Sequence, residues 1–444
     1  MLKTFVKGGV HPPENKFSAD KPIEKLGLPK QVAIPIAQHI GAPSKPVVKK
    51  KDQVKVGDVI AKSEGFVSSN IHSSVSGTVA KIDDVIDTTG YKKPSVIINV
   101  EGDEWNEEID QSPELKKEFS LSSQEIVDKV LEAGIVGMGG ATFPSHVKLS
   151  IPEGKKIDTL IINGVECEPY LTSDHRVMLE KGEEMLVGIQ LLMKALGVRK
   201  ALIGIENNKP DAIKHLDNLV NNYEGIEVYP LKVKYPQGGE KQLIKALVNR
   251  EVPSGGLPLD VGVVVHNVGT ALAVYEAVQK NKPLFERVVS VTGKSLEKTA
   301  NYMVRIGTPV KDLIEAVGGL PEDTGKVVSG GPMMGKALNS LEVPVVKGTS
   351  GILVIPEKEA KRRKEVSCIR CAKCVSVCPM GLEPYLLKKL AQIERFEDLE
   401  NNDVMDCIEC GSCAFECPAN LPLLDYIRFG KFNVSQIIRN RKQK

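Results

Sequence analysis

Cysteine supplies the clearest chemistry in this chain. Cys368, Cys371, Cys374 and Cys378 precede Pro379, and Cys407, Cys410, Cys413 and Cys417 precede Pro418. Each run reads C-x2-C-x2-C-x3-C-P, and every cysteine of the first run recurs 39 residues later. Three thiolates at i, i+3 and i+6 on a loop wrap three irons of one cubane; the chain then turns away and its fourth thiolate ligates the other cluster. The spacing therefore assigns Cys368, Cys371, Cys374 and Cys417 to one [4Fe-4S] cluster, and Cys407, Cys410, Cys413 and Cys378 to a second. Zinc is the competing reading, but its ligands usually come as two separated C-x2-C pairs. Ala372, Gly411, Ser412 and Ala414 are small enough to let backbone N–H groups approach the sulfurs. Two neighbouring clusters have one evident use, the passage of single electrons.

A second group of residues lies upstream. A helix ending at Gly134 leads into Gly137-Met138-Gly139-Gly140-Ala141-Thr142-Phe143-Pro144, with Lys148 beyond. Glycines allow a backbone to approach a phosphate or a flat ring, and Lys148 can pair with phosphate. The spacing is not G-x-G-x-x-G after a strand, so the ordinary dinucleotide fingerprint does not apply. A plain turn accounts for this loop equally well when it is taken alone. Asn163-Gly164-Val165-Glu166-Cys167-Glu168-Pro169-Tyr170 follows a strand, where α/β folds bind ligands. Glu166 and Glu168 are either solvated loop acids or partners for ribose hydroxyls or a flavin edge. Tyr235-Pro236-Gln237-Gly238-Gly239-Glu240 opens a helix, as does His266-Asn267-Val268-Gly269-Thr270.

These loops need elements to hold them. With 444 residues, the chain has length for roughly three domains. A formal net charge of +2 argues against a polyanion binder, and the single Trp105 against a base-stacking surface. The most apolar stretch, Val261 to Tyr275, contains His266, Asn267 and Thr270 and is too short to span a bilayer. The first residues lack the apolar core of a signal peptide, so the sequence reads as cytoplasmic, with reduced thiols. Residues 1 to about 115 carry short alternating runs and read as an all-β module, and acidic Glu101 to Glu118 as a linker. From about 120, strands (Asp158 to Ile162, Ala201 to Ile205, Val261 to Val265) alternate with helices (Gln124 to Glu132, Arg176 to Leu196, Asp211 to Val220, Gly239 to Val248, Thr270 to Gln279). That alternation predicts a mostly parallel sheet. Residues 286 to 355 read as a small α+β module around a helix at Val310 to Val317. Lys361-Arg362-Arg363-Lys364 reads as a solvated connector. Helices at Tyr385 to Arg395 and Leu424 to Phe429 flank the cysteines. Arg439, Arg441, Lys442 and Lys444 form a short basic tail, a weak pointer to anionic lipid or a partner. His11, His72 and His266 read as structural rather than ligating.

The order of the four loop motifs resembles the NADH- and FMN-binding subunit of respiratory complex I. The match to the C subunits of Rnf ion-translocating electron transport complexes is closer. Gly8-Gly9-Val10-His11-Pro12-Pro13-Glu14-Asn15-Lys16, the Gly137 to Lys148 loop, Asn163 to Tyr170 and both cysteine runs carry the likeness, which covers essentially the whole chain. It implies FMN held by the loop of Gly137, Gly139 and Gly140, with Lys148, Asn163, Glu166, Tyr235, Gly238 and Asn267. It implies NADH stacked near Phe143 and touching Glu168 and Glu240. Met138, Val165, Cys167 and Gly239 depart from the complex I pattern of Arg, Asp, Gly and Glu. Cys167 is then either redox active or an inert packed thiol.

The fold class this implies is multidomain α/β. Residues 1–115 resemble a lipoyl- or biotinyl-type barrel-sandwich module, with Phe66 where a carrier lysine belongs. A complex I flavoprotein-like α/β domain spans 120–285, a β-grasp module 286–355, and a two-cluster ferredoxin-like domain 357–444. The implied function is electron entry or exit in a membrane-bound ferredoxin:NAD oxidoreductase that translocates ions. Electrons would move between NAD(H), FMN and two [4Fe-4S] clusters, with integral-membrane and ferredoxin-like subunits as partners at the cytoplasmic face. The competing functions are a flavin and iron–sulfur cobalamin reductase, and a flavin-free relay scaffold.

Overall fold

A computed structural model describes residues 2–443. Alternation of buried and exposed residues builds the first module. In Gln31–Pro35, Val32 and Ile34 point inward, and they meet Ile60, Ile71, Val79, Val96 and Ile98, all at most 1% exposed. A four-stranded antiparallel sheet orders Gln31–Pro35, Lys92–Gly102, Ser76–Ile86 and Gln53–Val54. A three-stranded sheet of Lys45–Pro46, Val59–Lys62 and Ile71–His72 accompanies it. Phe66, at the position of the missing carrier lysine, is exposed and stacks edge-on against His146.

The acidic stretch after this module is not a free linker. Lys92–Gly102 runs into it, and Trp105 and Ile109 pack with Val56 and Phe285. Two apolar side chains are enough to fasten an otherwise polar strap, and Lys280 pairs with Asp110 at 3.0 Å to pin it further.

The next sheet is fully parallel, ordered Ile226–Leu231, Ala201–Glu206, Thr159–Asn163, Val263–Asn267. Thr159–Asn163 is apolar on both faces because both are covered, as parallel sheets require. Leu160 and Ile162 join the core that includes helices Gly182–Leu196 and Val268–Lys280. Ile161 points to the opposite core, with Leu243, Ile244 and Leu247 of helix Glu240–Val248. Each such burial contributes about 1.5–3 kcal/mol.

The helix expected over Arg176 to Leu196 is two, Ser173–Glu180 and Gly182–Leu196. Lys181 leaves helical geometry, and Gly182 lets His215 and Leu219 come within 3.0 Å of where a Cβ would sit. The strand expected at Val261 begins at Val263. Residues 258–261 instead form a short 3-10 turn closed by Gly262 at φ +74°.

The module after residue 285 is a six-stranded sheet ordered Ile23–Lys25, Ala300–Arg305, Glu286–Gly293, Gly351–Pro356, Thr324–Ser329, Lys336–Ala337. Its first strand comes from the N-terminal segment, so the opening residues do not belong wholly to the β module that follows them. In the cysteine region the last helix runs over Leu423–Gln443, far beyond the expected Phe429. Arg441 of the supposed tail is helical and pairs with Glu400 at 2.7 Å; the Lys442 side chain and Lys444 lie outside the described residues. No helix among the described residues is long and apolar enough to cross a membrane.

Helices Gly182–Leu196 and Val268–Lys280 pack closely, and a Cβ on Gly188 would fall 1.9 Å from the Ala271 carbonyl oxygen. Gly188→Ala is expected to destabilise the chain by about 1–3 kcal/mol, read as a lowered denaturant midpoint. An unchanged midpoint would mean that the two backbones do not meet there.

Candidate flavin and iron–sulfur sites

Strand order places a crevice. Thr159–Asn163 sends its chain outward to Ala201–Glu206, whereas Val263–Asn267 lies on its other side, so the order reverses between these two strands. Ligands of open α/β sheets bind at the carboxyl ends of strands flanking such a reversal. Asn163 and Asn267 are register partners there. Asn163 Nδ2 donates to the Gly238 carbonyl at 2.9 Å. Asn267 Nδ2 donates to Asp174 Oδ2 at 2.6 Å, while its Oδ1 accepts from Gly269 N–H at 2.8 Å and caps the following helix.

The glycine loop lies over this pair. Gly137 N–H donates to the Phe143 carbonyl at 2.9 Å and closes the loop; Met138 N–H donates to Thr270 Oγ1 at 2.9 Å. A Cβ on Gly139 would lie 3.6 Å from Asn267 Cβ, and Gly140, at φ +109°, faces open space. Bare, exposed glycine backbone beside two amides is a fitting cradle for a flat ring with a phosphate tail. Lys148 Nζ bridges Glu240 Oε1 at 2.7 Å and the Val265 carbonyl at 3.0 Å. The structure thus brings Gly137, Gly139, Gly140, Asn163, Gly238 and Asn267 together, with Lys148 paired to Glu240.

The two loop acids are both hydrogen-bonded within the chain. Glu166 accepts from Asp174 N–H at 2.8 Å, His175 N–H at 3.2 Å and Ser173 Oγ at 3.3 Å, capping the helix Ser173–Glu180. Glu168, expected to touch NADH, accepts from Met333 and Met334 N–H at 3.1 and 2.8 Å, which ties the neighbouring module down. Lys16 organises this loop by donating to the carbonyls of Glu166, Glu168 and Leu171 at 2.7–2.9 Å. Burial, then the charge of Lys209, brings the Lys16 ammonium down to about 8.

Sequence reasoning missed Asp174 and Arg287. Burial, then Glu166, raises the Asp174 carboxyl. Arg287, from the next module, donates to the Lys347 carbonyl and, at 3.4 Å, to the Met138 carbonyl behind the glycine loop. Asp174 carried a faint signal, a first-turn acid of a helix; Arg287 carried none, because its strand is remote in sequence. His72 and His266 are buried and pushed down to about 3 by desolvation.

The cysteines fall into two groups. Cys378, Cys407, Cys410 and Cys413 line one small cavity. Burial, then Cys407, Cys410 and Cys378, raises the Cys413 thiol. Burial also raises Cys374, which has Cys417 and Cys368 as charged neighbours. The last cysteine of each run therefore sits beside cysteines of the other. Among the described residues no three His, Cys, Asp or Glu side chains are close enough to share one metal ion. Backbone N–H groups of Leu382 and Glu409 point at Cys378 and Cys407 sulfurs at 3.4 Å.

One loop joins crevice and cysteines. Tyr235 Oη donates to the Cys410 carbonyl at 2.8 Å, three residues before Gly238 meets Asn163. Val10 exchanges two backbone hydrogen bonds with Tyr235, and Gly9 N–H donates to the Val377 carbonyl. Cys167 accepts from Gly238 N–H at 3.3 Å, and burial, then Glu206, raises its thiol.

Burial holds the Glu168 carboxyl up to about 7. Unfolded, it titrates near the ordinary glutamate value of about 4.3. Between these values the folded chain binds the extra proton, so stability falls as pH rises through that window. Glu168→Gln is expected to remove this part of the slope, measured as urea midpoints at about pH 5 and about pH 7. A variant with the parent's slope would contradict it.

Comparison with known proteins agrees with this arrangement along the whole chain. Residues 4–103 match the RnfC barrel sandwich hybrid domain, 130–276 the Nuo51 FMN-binding domain, 288–337 the SLBB domain and 360–418 a 4Fe-4S dicluster domain. The chain is 49% identical, over 97% of its length and 94% of the relative's, to the C subunit of the proton-translocating ferredoxin:NAD(+) oxidoreductase complex of Clostridium ljungdahlii. It is 45% identical, over 98% of both chains, to the Na(+)-translocating counterpart of Acetobacterium woodii. With the C subunit of the ion-translocating oxidoreductase complex of Rhodobacter capsulatus it shares 42%, over 98% of this chain and 84% of that one. A crevice built on a parallel sheet, two interleaved cysteine groups and relatives of this similarity lead to one statement: the chain belongs to the family of C subunits of ion-translocating ferredoxin:NAD(+) oxidoreductase complexes.

Proposed function

We propose that this chain is the redox subunit through which electrons pass between NAD(H) and the rest of such a complex, by way of FMN and two [4Fe-4S] clusters. The observation that carries this reading is the Tyr235–Gly239 loop, which touches the Asn163 crevice at one end and Cys410 at the other. FMN, when bound, exchanges an electron pair with nicotinamide and single electrons with iron–sulfur clusters, which is why it belongs between them. The chain's own residues bind and orient. Gly137, Gly139 and Gly140 give close backbone approach, Asn163 and Asn267 supply amides, and Gly238 keeps the facing loop thin. Glu166 contributes by setting the shape of its loop. Lys148 is assigned to FMN, and Phe143, Glu168 and Glu240 to NADH; Glu168 also holds the module interface through Met333 and Met334. Cys368, Cys371, Cys374 and Cys417 are assigned to one cluster, Cys407, Cys410, Cys413 and Cys378 to the other.

The complex's ion translocation belongs to its other subunits in this reading, and this chain supplies the redox half. The absence of a long apolar helix among the described residues supports a peripheral place. The cytoplasmic face is assigned because reduced thiols and NAD(H) are found there.

Anaerobic preparation is expected to give about eight irons and one flavin per chain. Cys413→Ala and, separately, Cys374→Ala are each expected to remove about four irons and leave the other cluster's absorbance. Gly139→Val is expected to empty the flavin site with iron unchanged. NADH titration of the parent should bleach flavin and then cluster bands. Zinc in place of iron, or flavin bleaching with no later cluster reduction, would end this assignment.

A further inference from the structure

One hairpin of the six-stranded module reaches out of its own sheet. Thr324–Ser329 and Lys336–Ala337 pair antiparallel, and Gly330 to Gly335 joins them. A hairpin closes with roughly two to five residues, so this connection is longer than the turn requires. Its backbone is gripped from two sides. From the flavin domain, Glu168 takes both the Met333 and Met334 N–H groups, and a Cβ on Gly331 would fall 2.2 Å from Glu168 Oε2. From the cysteine region, a Cβ on Gly411 would fall 2.8 Å from the Met333 carbonyl oxygen, and Arg428 donates to the Met334 carbonyl at 3.5 Å.

The two methionines at its tip fare differently. Met334 leaves 44% of its surface in water. Met333 is half-buried and packs against an apolar set of Val10, Tyr235 and Cys410, which Cys167, Val377 and Ile408 also join. These residues form the joint between the crevice and the buried cysteine group, since Tyr235 bonds Cys410 there. A module that carries no assigned cluster ligand thus places one side chain in that joint. Fastening the module accounts for the backbone contacts, none of which involves the Met333 side chain. It does not account for an apolar chain packed at this place. A thioether on three rotatable bonds suits an irregular gap of this kind.

Resting on the function given above, we propose that Met333 is a positioning residue that closes this joint to water and so holds down the potential of the cluster assigned to Cys378, Cys407, Cys410 and Cys413. Reduction adds negative charge to a cluster, and nearby water stabilises that charge. An apolar shell that keeps water out therefore lowers the potential. Met333 acts through the Tyr235 and Cys410 set it packs against. Cys378, Cys410 and Cys413 are buried, whereas Cys368 and Cys371 are exposed, so the seal bears on one cluster and leaves the other as it is.

The test is a redox titration of the full, anaerobically reconstituted chain followed by electron paramagnetic resonance, with iron and flavin counted beforehand. Met333→Ser is expected to move one cluster's midpoint potential to more positive values and leave the other's in place. Met333→Ala should move the same midpoint in the same direction, and Met333→Leu should keep the parent's value. In a Cys374→Ala background, which lacks the exposed cluster, the serine shift should persist; in a Cys413→Ala background it should vanish. In the Cys374→Ala background an anaerobic iron chelator is expected to strip Met333→Ser about tenfold faster than its parent. Unmoved midpoints in both the serine and alanine variants, a shift at the cluster of Cys368, or a leucine variant that shifts as far as serine overturns the proposal. The parent chain tests the functional reading separately: iron, flavin and NADH bleaching there keep that reading even where Met333 has no effect.

Discussion

The backbone of Gly8, Gly9 and Val10 is wedged between the cysteine region and the flavin domain, and the geometry of both sites depends on it. Gly9 bonds Val377 on one side and Val10 bonds Tyr235 on the other. A side chain at Gly8, which sits at φ +66°, would come within 2.5 Å of the Cys378 carbonyl group. Only glycine tolerates both the left-handed conformation and that approach. Electron passage between two bound groups needs them held close and rigid, so a strap that opens on two bare glycines is a direct solution. The same segment ends at Lys16, whose three carbonyl contacts set the loop carrying Glu166 and Glu168.

Buried charge fastens the other junctions. Lys347 is fully buried and donates to the carbonyls of Asn70 and Gly134, which belong to two other modules; burial alone brings it down to about 7. Arg305 stacks near Trp105 and Phe285 and pairs with Asp103 and Glu286. Breaking a buried pair by removing one partner is costly, because it strands the other charge. Such contacts set orientation more than stability. Here they fix the glycine loop, through Arg287 and Met138, against the sheet that carries Asn163 and Asn267.

Much of the fold was legible because its signals are local. The alternation in Gln31–Pro35, the apolar run at Thr159–Asn163 and the Gly197 stop of a helix are each contained within a few residues. The break at Lys181 was not legible, since it depends on His215 and Leu219 approaching Gly182. Nor was the strap at Trp105, whose anchor Phe285 lies in a different module. That the glycine loop and both asparagines lie at strand ends and open backbone was legible, because backbone access and strand ends leave a mark in sequence. The employment of Glu168 by Met333 and Met334 left none.

By itself, the sequence determined what the cysteines are for. Ligand type and spacing act over a few residues, and a loop of three thiolates admits few occupants. The tertiary structure alone decided which cysteine group faces the crevice and which faces water. That choice rests on contacts between residues far apart in the chain, Tyr235 with Cys410 and Gly9 with Val377, and no local pattern encodes such pairings.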